Sequence, residues 1–253
     1  MKKIRRGIAV AALCGMLFVS GCGKDAMSKQ DYRTAGIAAL EAGAYAEAVQ
    51  QFDEAIAHSN GFVGKFELDV LKYRAEAEYR MADYQSAEKT YEVLLQADKE
   101  RAEYYYFLSM AQANLGQLDA AQESLQKGDG LDAQAIGAAD ARLTLGNAFL
   151  DQGQTEAAMA LYQSAISSGQ ATADVYNQVG LCYLEAKEYD AALAAFQNGL
   201  TVDAGNQQLL FNRAVACEYT GDFSGAREYM EQYVAAFPDD TKAQRELAFL
   251  RTR

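Results

Sequence analysis

Apolar and polar residues alternate along this chain in long amphipathic stretches, broken at regular intervals by short runs of small or polar residues. Quoted from such a break, six segments read AGAYAEAVQQFDEAI, MADYQSAEKTYEVLL, LGQLDAAQESLQKGD, QGQTEAAMALYQSAI, AKEYDAALAAFQNGL and TGDFSGAREYMEQYV. The units begin at Lys29, Leu68, Ala102, Ala139, Ala173 and Gln207, so the start-to-start spacings are 39, 34, 37, 34 and 34 residues. A small residue recurs in the first half of each unit, at Gly36, Ala75, Ser109, Gly146, Gly180 and Ala214. An alanine recurs in the second half, at Ala48, Ala87, Ala121, Ala158, Ala192 and Ala226. Four residues later stands a large side chain: Phe52, Tyr91, Leu125, Tyr162, Phe196 or Met230. This pattern predicts paired helices whose backbones approach at the small residues while the large ones fill the gap beside the crossing. One such pair cannot bury its apolar face alone, so the units must stack. The last stretch, TKAQRELAFLRTR, predicts one more amphipathic helix with Leu247, Phe249 and Leu250 facing inward.

The period and its small–alanine–aromatic positions resemble the tetratricopeptide repeat, a helix–turn–helix unit of 34 residues. The fourth unit adds Leu145-Gly146 with Phe149, and the fifth Val179-Gly180 with Tyr183. The family's first-helix tryptophan is missing, with Tyr32, Tyr105 and Tyr176 in three of those places, and its terminal proline occurs once, as Pro238. The resemblance covers residues 29–240 and implies an all-α, right-handed α-solenoid. Its repeats would be 29–62, 68–101, 102–135, 139–172, 173–206 and 207–240, closed by a capping helix at 241–253. With a single proline and no tryptophan, the composition agrees with an all-helical chain.

Two joints exceed the period. SNGFVGKFE follows the first unit, and GDGLDAQAIGA, with three glycines, follows the third. The second joint is expected to divide the array into repeats 1–3 and 4–6 with a change of superhelical angle. Asp129 and Asp132 within it lack the further carboxylates and closing glutamate of a calcium loop, and read as a plain turn.

The N-terminus has a different pattern. Lys2, Lys3, Arg5 and Arg6 precede sixteen uncharged residues, Gly7 to Cys22. A membrane-spanning helix wants about 20 apolar residues. A basic start, a short apolar run and a small-residue end instead describe a secretory signal peptide. Val19-Ser20-Gly21-Cys22 resembles the lipobox of bacterial lipoproteins. That resemblance implies a signal peptide at 1–21, a diacylglycerol thioether on Cys22, and a tether through residue 28. The alternative is a plain signal peptide, or an uncleaved anchor, with an incidental cysteine. In the lipobox reading the protein sits in the bacterial cell envelope, lipid-anchored on the extracytoplasmic side, since two chains on one cysteine anchor stably.

Net charge is −12, and without the four N-terminal cations the remainder carries 19 bases against 35 acids, or −16. Such a chain lacks the basic footprint nucleic acid requires and favours basic partners. No catalytic residues are expected, because no nucleophile–base pair or phosphate loop occurs. No metal or cofactor is expected either: His58 is the sole histidine, at a helix end where it can meet exposed carbonyls. Cys182 and Cys217 occupy adjacent first-helix positions in repeats 5 and 6. Export would permit a disulfide between them. As packing positions they read equally as buried thiols, which is the favoured reading.

In the resembling family the first helices line a concave groove in which peptides lie. The resemblance assigns Lys72, Tyr73, Arg80, Tyr106, Phe107, Asn147, Asn177, Gln178 and Asn212 to that groove. Asn and Gln can pair with a peptide backbone through donor and acceptor, and Lys72 with Arg80 could hold a carboxylate. Within the Tyr104-Tyr105-Tyr106 run, Tyr106 is expected to be exposed as an anchor. The set of Lys and Asn that clamps C-terminal tails in some family members is absent. The function expected is a protein or peptide scaffold, with assembly of an envelope or secretion machine as its setting; the alternative is a module for a cell-wall glycan or another non-protein ligand.

Overall fold

A computed structural model describes residues 27–59 and 64–253. The leader, Cys14, Cys22 and residues 60–63 of the first joint lie outside the described residues. Among those described there are thirteen α-helices and no strand. The first repeat is α1 (Lys29–Glu41) with α2 (Tyr45–Ala57), the second α3 (Lys65–Arg80) with α4 (Tyr84–Ala97), and the third α5 (Ala102–Asn114) with α6 (Leu118–Asp132). The fourth pairs α7 (Ala138–Asp151) with α8 (Thr155–Ser167), the fifth α9 (Ala173–Glu185) with α10 (Tyr189–Val202), and the sixth α11 (Gln207–Tyr219) with α12 (Phe223–Ala236). A last helix, α13 (Thr241–Leu250), packs against α12. None of these helices is long and apolar enough to cross a membrane.

The recurring positions build the core. All six second-helix alanines have no exposed surface, and the six large residues after them are at most 5% exposed. The reason is steric. A Cβ placed on Gly36 would stand 2.5 Å from the Phe52 ring, and Cβ atoms on Gly146 and Gly180 would overlap Tyr162 and Phe196. Each aromatic therefore lies flat on the partner helix backbone, which sets the helix separation. Every hairpin turns on one residue in left-handed backbone: Gly43, Ala82, Gly116, Gly153, Lys187 and Gly221. Glycine holds four of these places, as expected where φ is positive.

Polar contacts tie the repeats across the stack. Arg74 Nε donates to Asp53 Oδ1 at 2.7 Å, joining repeats 2 and 1. The same guanidinium meets Glu78, which is 2% exposed, at 2.6 Å, and Thr90 completes the cluster. Burial pushes the Glu78 carboxyl above the usual carboxylate range.

The third joint is built unlike the others. Helix α6 does not end in a turn at Gly128 but runs on through Gly128, Asp129 and Gly130 to Asp132. Gly128 is tolerated because the Tyr106 ring fills its side-chain space, 2.8 Å from where a Cβ would stand. Helix α7 then lies chiefly along α5 rather than α6.

Two burial assignments need correction. Leu247 and Leu250 are buried, but Phe249 is 41% exposed, with the Arg253 guanidinium 4.9 Å from its ring centre. Ala243, Leu247 and Leu250 follow the three-and-four spacing of one helix face, and Phe249 falls off it. Tyr106, expected at the surface, is fully buried. His58 ends α2, its Nδ1 2.8 Å from the Glu54 carbonyl oxygen.

The two kinds of helical glycine should respond oppositely to alanine. Gly180→Ala is expected to cost about 1–2 kcal/mol, overpacking against Phe196 outweighing the helix-propensity gain. Gly130→Ala, with nothing within 4 Å of the new Cβ, is expected to stabilise by about 0.5–1 kcal/mol. Urea denaturation of the two variants checks both signs.

Candidate functional site

Helices α3 and α5 and the start of α7 enclose a cleft of about 720 Å³. Lys72, Tyr73, Glu76, Tyr79 and Arg80 line it from α3, at the spacing that puts residues on one face of a helix. Tyr104, Phe107 and Met110 line it from α5, and Ile136 and Asp140 from the start of the fourth repeat. Its floor is aromatic. Tyr91, the core residue of α4, stacks on Phe107 with ring centres 5.6 Å apart. The Tyr79 hydroxyl accepts from Asn114 Nδ2 at 3.1 Å. Burial raises the hydroxyl pKa of both Tyr79 and Tyr91, so they remain neutral donors.

The charges at the rim are unevenly paired. Arg80 bonds Glu76 at 2.9 Å and Arg101 bonds Asp98 at 3.0 Å, both in solvent. Among the described residues no carboxylate lies within ion-pair distance of Lys72, and no base within that distance of Glu103 or Asp140. Tyr73, Glu76 and Arg80 also line a smaller cleft of about 460 Å³ against repeat 1, so the two run together. On the other side, Arg101 and Glu103 are shared with an acidic hollow that includes Glu100 and Asp132.

The nine assigned groove residues therefore do not form one site. Lys72, Tyr73, Arg80 and Phe107 meet in this cleft. Asn177, Gln178 and Asn212 meet in a separate one of about 620 Å³ between α9 and α11. There the amides largely satisfy one another. Asn212 Nδ2 donates to Asn177 Oδ1 at 2.8 Å, and Asn177 Nδ2 to Gln208 Oε1 at 3.3 Å, leaving Asn177 only 5% exposed. Asn147 accepts from the Tyr162 hydroxyl at 2.7 Å and so supports the core.

Tyr106 is in neither cleft. Its hydroxyl donates to Asp129 Oδ1 at 2.8 Å and lies 2.9 Å from the Asp132 carbonyl oxygen. Asp129 also accepts from Arg142 Nη2 at 2.7 Å, and Arg142 is 3% exposed. This knot fixes α5, α6 and α7 together beside the cleft. Sequence reasoning passed over Arg142, yet a signal was present. It is the one charged residue at the position where the other repeats carry Tyr32, Leu71, Tyr105, Tyr176 and Leu210. Tyr79, Tyr91 and Ile136 were also missed, the first two because a core position and a floor position coincide.

Cys182 and Cys217 are free, buried thiols. Burial, aided by the Asp222 carboxylate, pushes the Cys217 thiol up to about 11, and burial also raises Cys182. Both shifts lower the thiolate fraction at neutral pH relative to a free cysteine. No three potential metal ligands cluster among the described residues.

Family models of the tetratricopeptide repeat match residues 143–208, 183–248 and 102–134, together more than half of the chain. The BBSome complex member BBS4 of Bos taurus is 24% identical over 158 residues, 62% of this chain. The chain spans only 30% of the length of that curated relative. PilW, a widely conserved type IV pilus biogenesis factor, has the same fold with a TM-score of 0.66 at 16% identity, over 87% of this chain and 98% of its own. MamA aligns with a TM-score of 0.55 at 26% identity, over 66% of this chain and 96% of its own.

Removing the buried joint should be measurable. Arg142→Met, which strands a partly exposed Asp129, is expected to cost about 2 kcal/mol. Tyr106→Phe is expected to cost about 1 kcal/mol. Equilibrium unfolding in urea reads both losses.

Proposed function

Because the chain belongs to the tetratricopeptide repeat proteins, we propose that it docks a protein or peptide segment in the cleft between α3, α5 and α7. One observation carries this reading. Cations and aromatic side chains from separate repeats converge on one open cleft of a strongly acidic chain. Aromatic rings supply contact area at low entropic cost, and flanking charges set register and partner choice.

The same proposal places the scaffold on the extracytoplasmic side of a bacterial envelope, lipid-anchored through Cys22. The support is the sequence VSGC at the end of a short apolar run that follows a basic start. A surface-bound scaffold works at high local concentration, so modest contacts in one cleft are enough to recruit a component of an envelope or secretion machine. Glycan binding is the weaker reading. The amide-rich cleft would have to serve it, yet its amides bond one another and Lys242 lies 5.6 Å over the Phe211 ring.

Cross-linking the intact protein in its native envelope tests both parts. Wild type should capture a defined partner, and a folded Lys72→Glu/Ile136→Asp double variant should capture it at background level. Cys22→Ala should leave the membrane fraction. Undiminished capture by the folded double variant would sink the docking reading, and full membrane retention of Cys22→Ala would sink the lipid anchor.

A further inference from the structure

The cleft also specifies the chemistry of its occupant. Ile136 is 76% exposed, more than any other large apolar side chain among the described residues. It stands at the mouth of the cleft, just before Gly137, whose left-handed backbone turns the chain into α7. An isolated, uncovered aliphatic side chain beside Phe107 and Met110 gains most by being covered with another apolar group. Lys72 lies in the same cleft as a cation without an ion-pair partner among the described residues, on a chain where acids outnumber bases. At the starts of α5 and α7 stand Glu103 and Asp140, with no base in ion-pair distance among the described residues, and the neighbouring hollow adds Glu100. Carboxylates in the first turns of α5 and α7 help their own helices in any case, so they alone indicate nothing. Arg80 is engaged by Glu76 and Arg101 by Asp98, so the groups left for an occupant are a cation on α3, an apolar floor on α5, and anions at the starts of α5 and α7.

We propose that the occupant is an extended segment of a partner protein carrying an acidic residue, then adjacent apolar side chains, then basic residues. The acidic residue pairs with Lys72. The apolar pair fills the space between Phe107, Met110 and Ile136. The basic residues lie toward Asp140, Glu103 and Glu100. This inference rests on the docking role proposed above and adds the polarity of what is docked.

A fluorescein-labelled synthetic peptide with a glutamate, a phenylalanine–leucine pair and then lysines serves as the probe, read by anisotropy with the full chain. Its counterpart has the charges exchanged, a lysine before the pair and glutamates after it. The first peptide should bind about tenfold more tightly than the second. Ile136→Ser should weaken it about tenfold by removing one buried aliphatic contact. Lys72→Glu should weaken it similarly, and replacing the peptide's glutamate by lysine should restore affinity for that variant alone. Both side chains are exposed, and thermal melting confirms that the variants remain folded. Equal affinity for the two peptides, or no effect of Ile136→Ser, overturns the inference. If neither peptide binds while envelope capture still depends on the cleft, the polarity is wrong and the docking role stands.

Discussion

The contact between a small residue on one helix and a large ring on its partner sets every other dimension of this molecule. Where Gly36, Gly146 and Gly180 meet Phe52, Tyr162 and Phe196, no side-chain atom fits between backbone and ring. Helices held that closely expose little core, and each repeat rests only on its neighbours. The second repeat uses the same device with Ala75, Ala87 and Tyr91. Its large residue does double duty. Tyr91 closes the core of repeat 2, and one edge of it forms the floor of the cleft against Phe107. The candidate site is thus an extension of the packing rule rather than an addition to it.

The third joint is where the stack departs from its rule, and the departure shapes the cleft. Extra residues there lengthen α6 instead of making a loose loop. Tyr106 moves into the space left by Gly128, and Arg142 stands where the other repeats carry Tyr or Leu and bonds Asp129. A buried guanidinium is costly unless every donor finds an acceptor. Here Asp129, the Ala138 carbonyl and the Ser164 hydroxyl all accept from it. With α7 drawn along α5, the short link before it projects Ile136 over the cleft mouth.

The repeats were legible because their information is local and written six times. Alanine at Ala48 and its five counterparts, followed by a large residue, defines helix pairing without knowledge of any distant contact. The character of Tyr106 was not legible in the same way. Tyr104 and Tyr106 are both buried and Tyr105 is half-buried, because Tyr104 packs into the core with α3 and α4 while Tyr106 lies under α6 and α7. The amides of Asn177 and Asn212 look available in sequence, but stacking of adjacent repeats brings them into bonding distance. Lys72, Tyr73, Arg80 and Phe107 line one cleft because repeats 2 and 3 keep the plain 34-residue period, a register the sequence displays.

The central claim is that partners dock between the second and fourth repeats and leave the amide-lined end of the solenoid free. Hydrogen–deuterium exchange on the full chain, with and without the partner captured in the envelope, addresses it most directly. The account predicts added protection in α3, α5 and the link before α7, with α9 and α11 unchanged. Protection confined to α9 and α11 would contradict it.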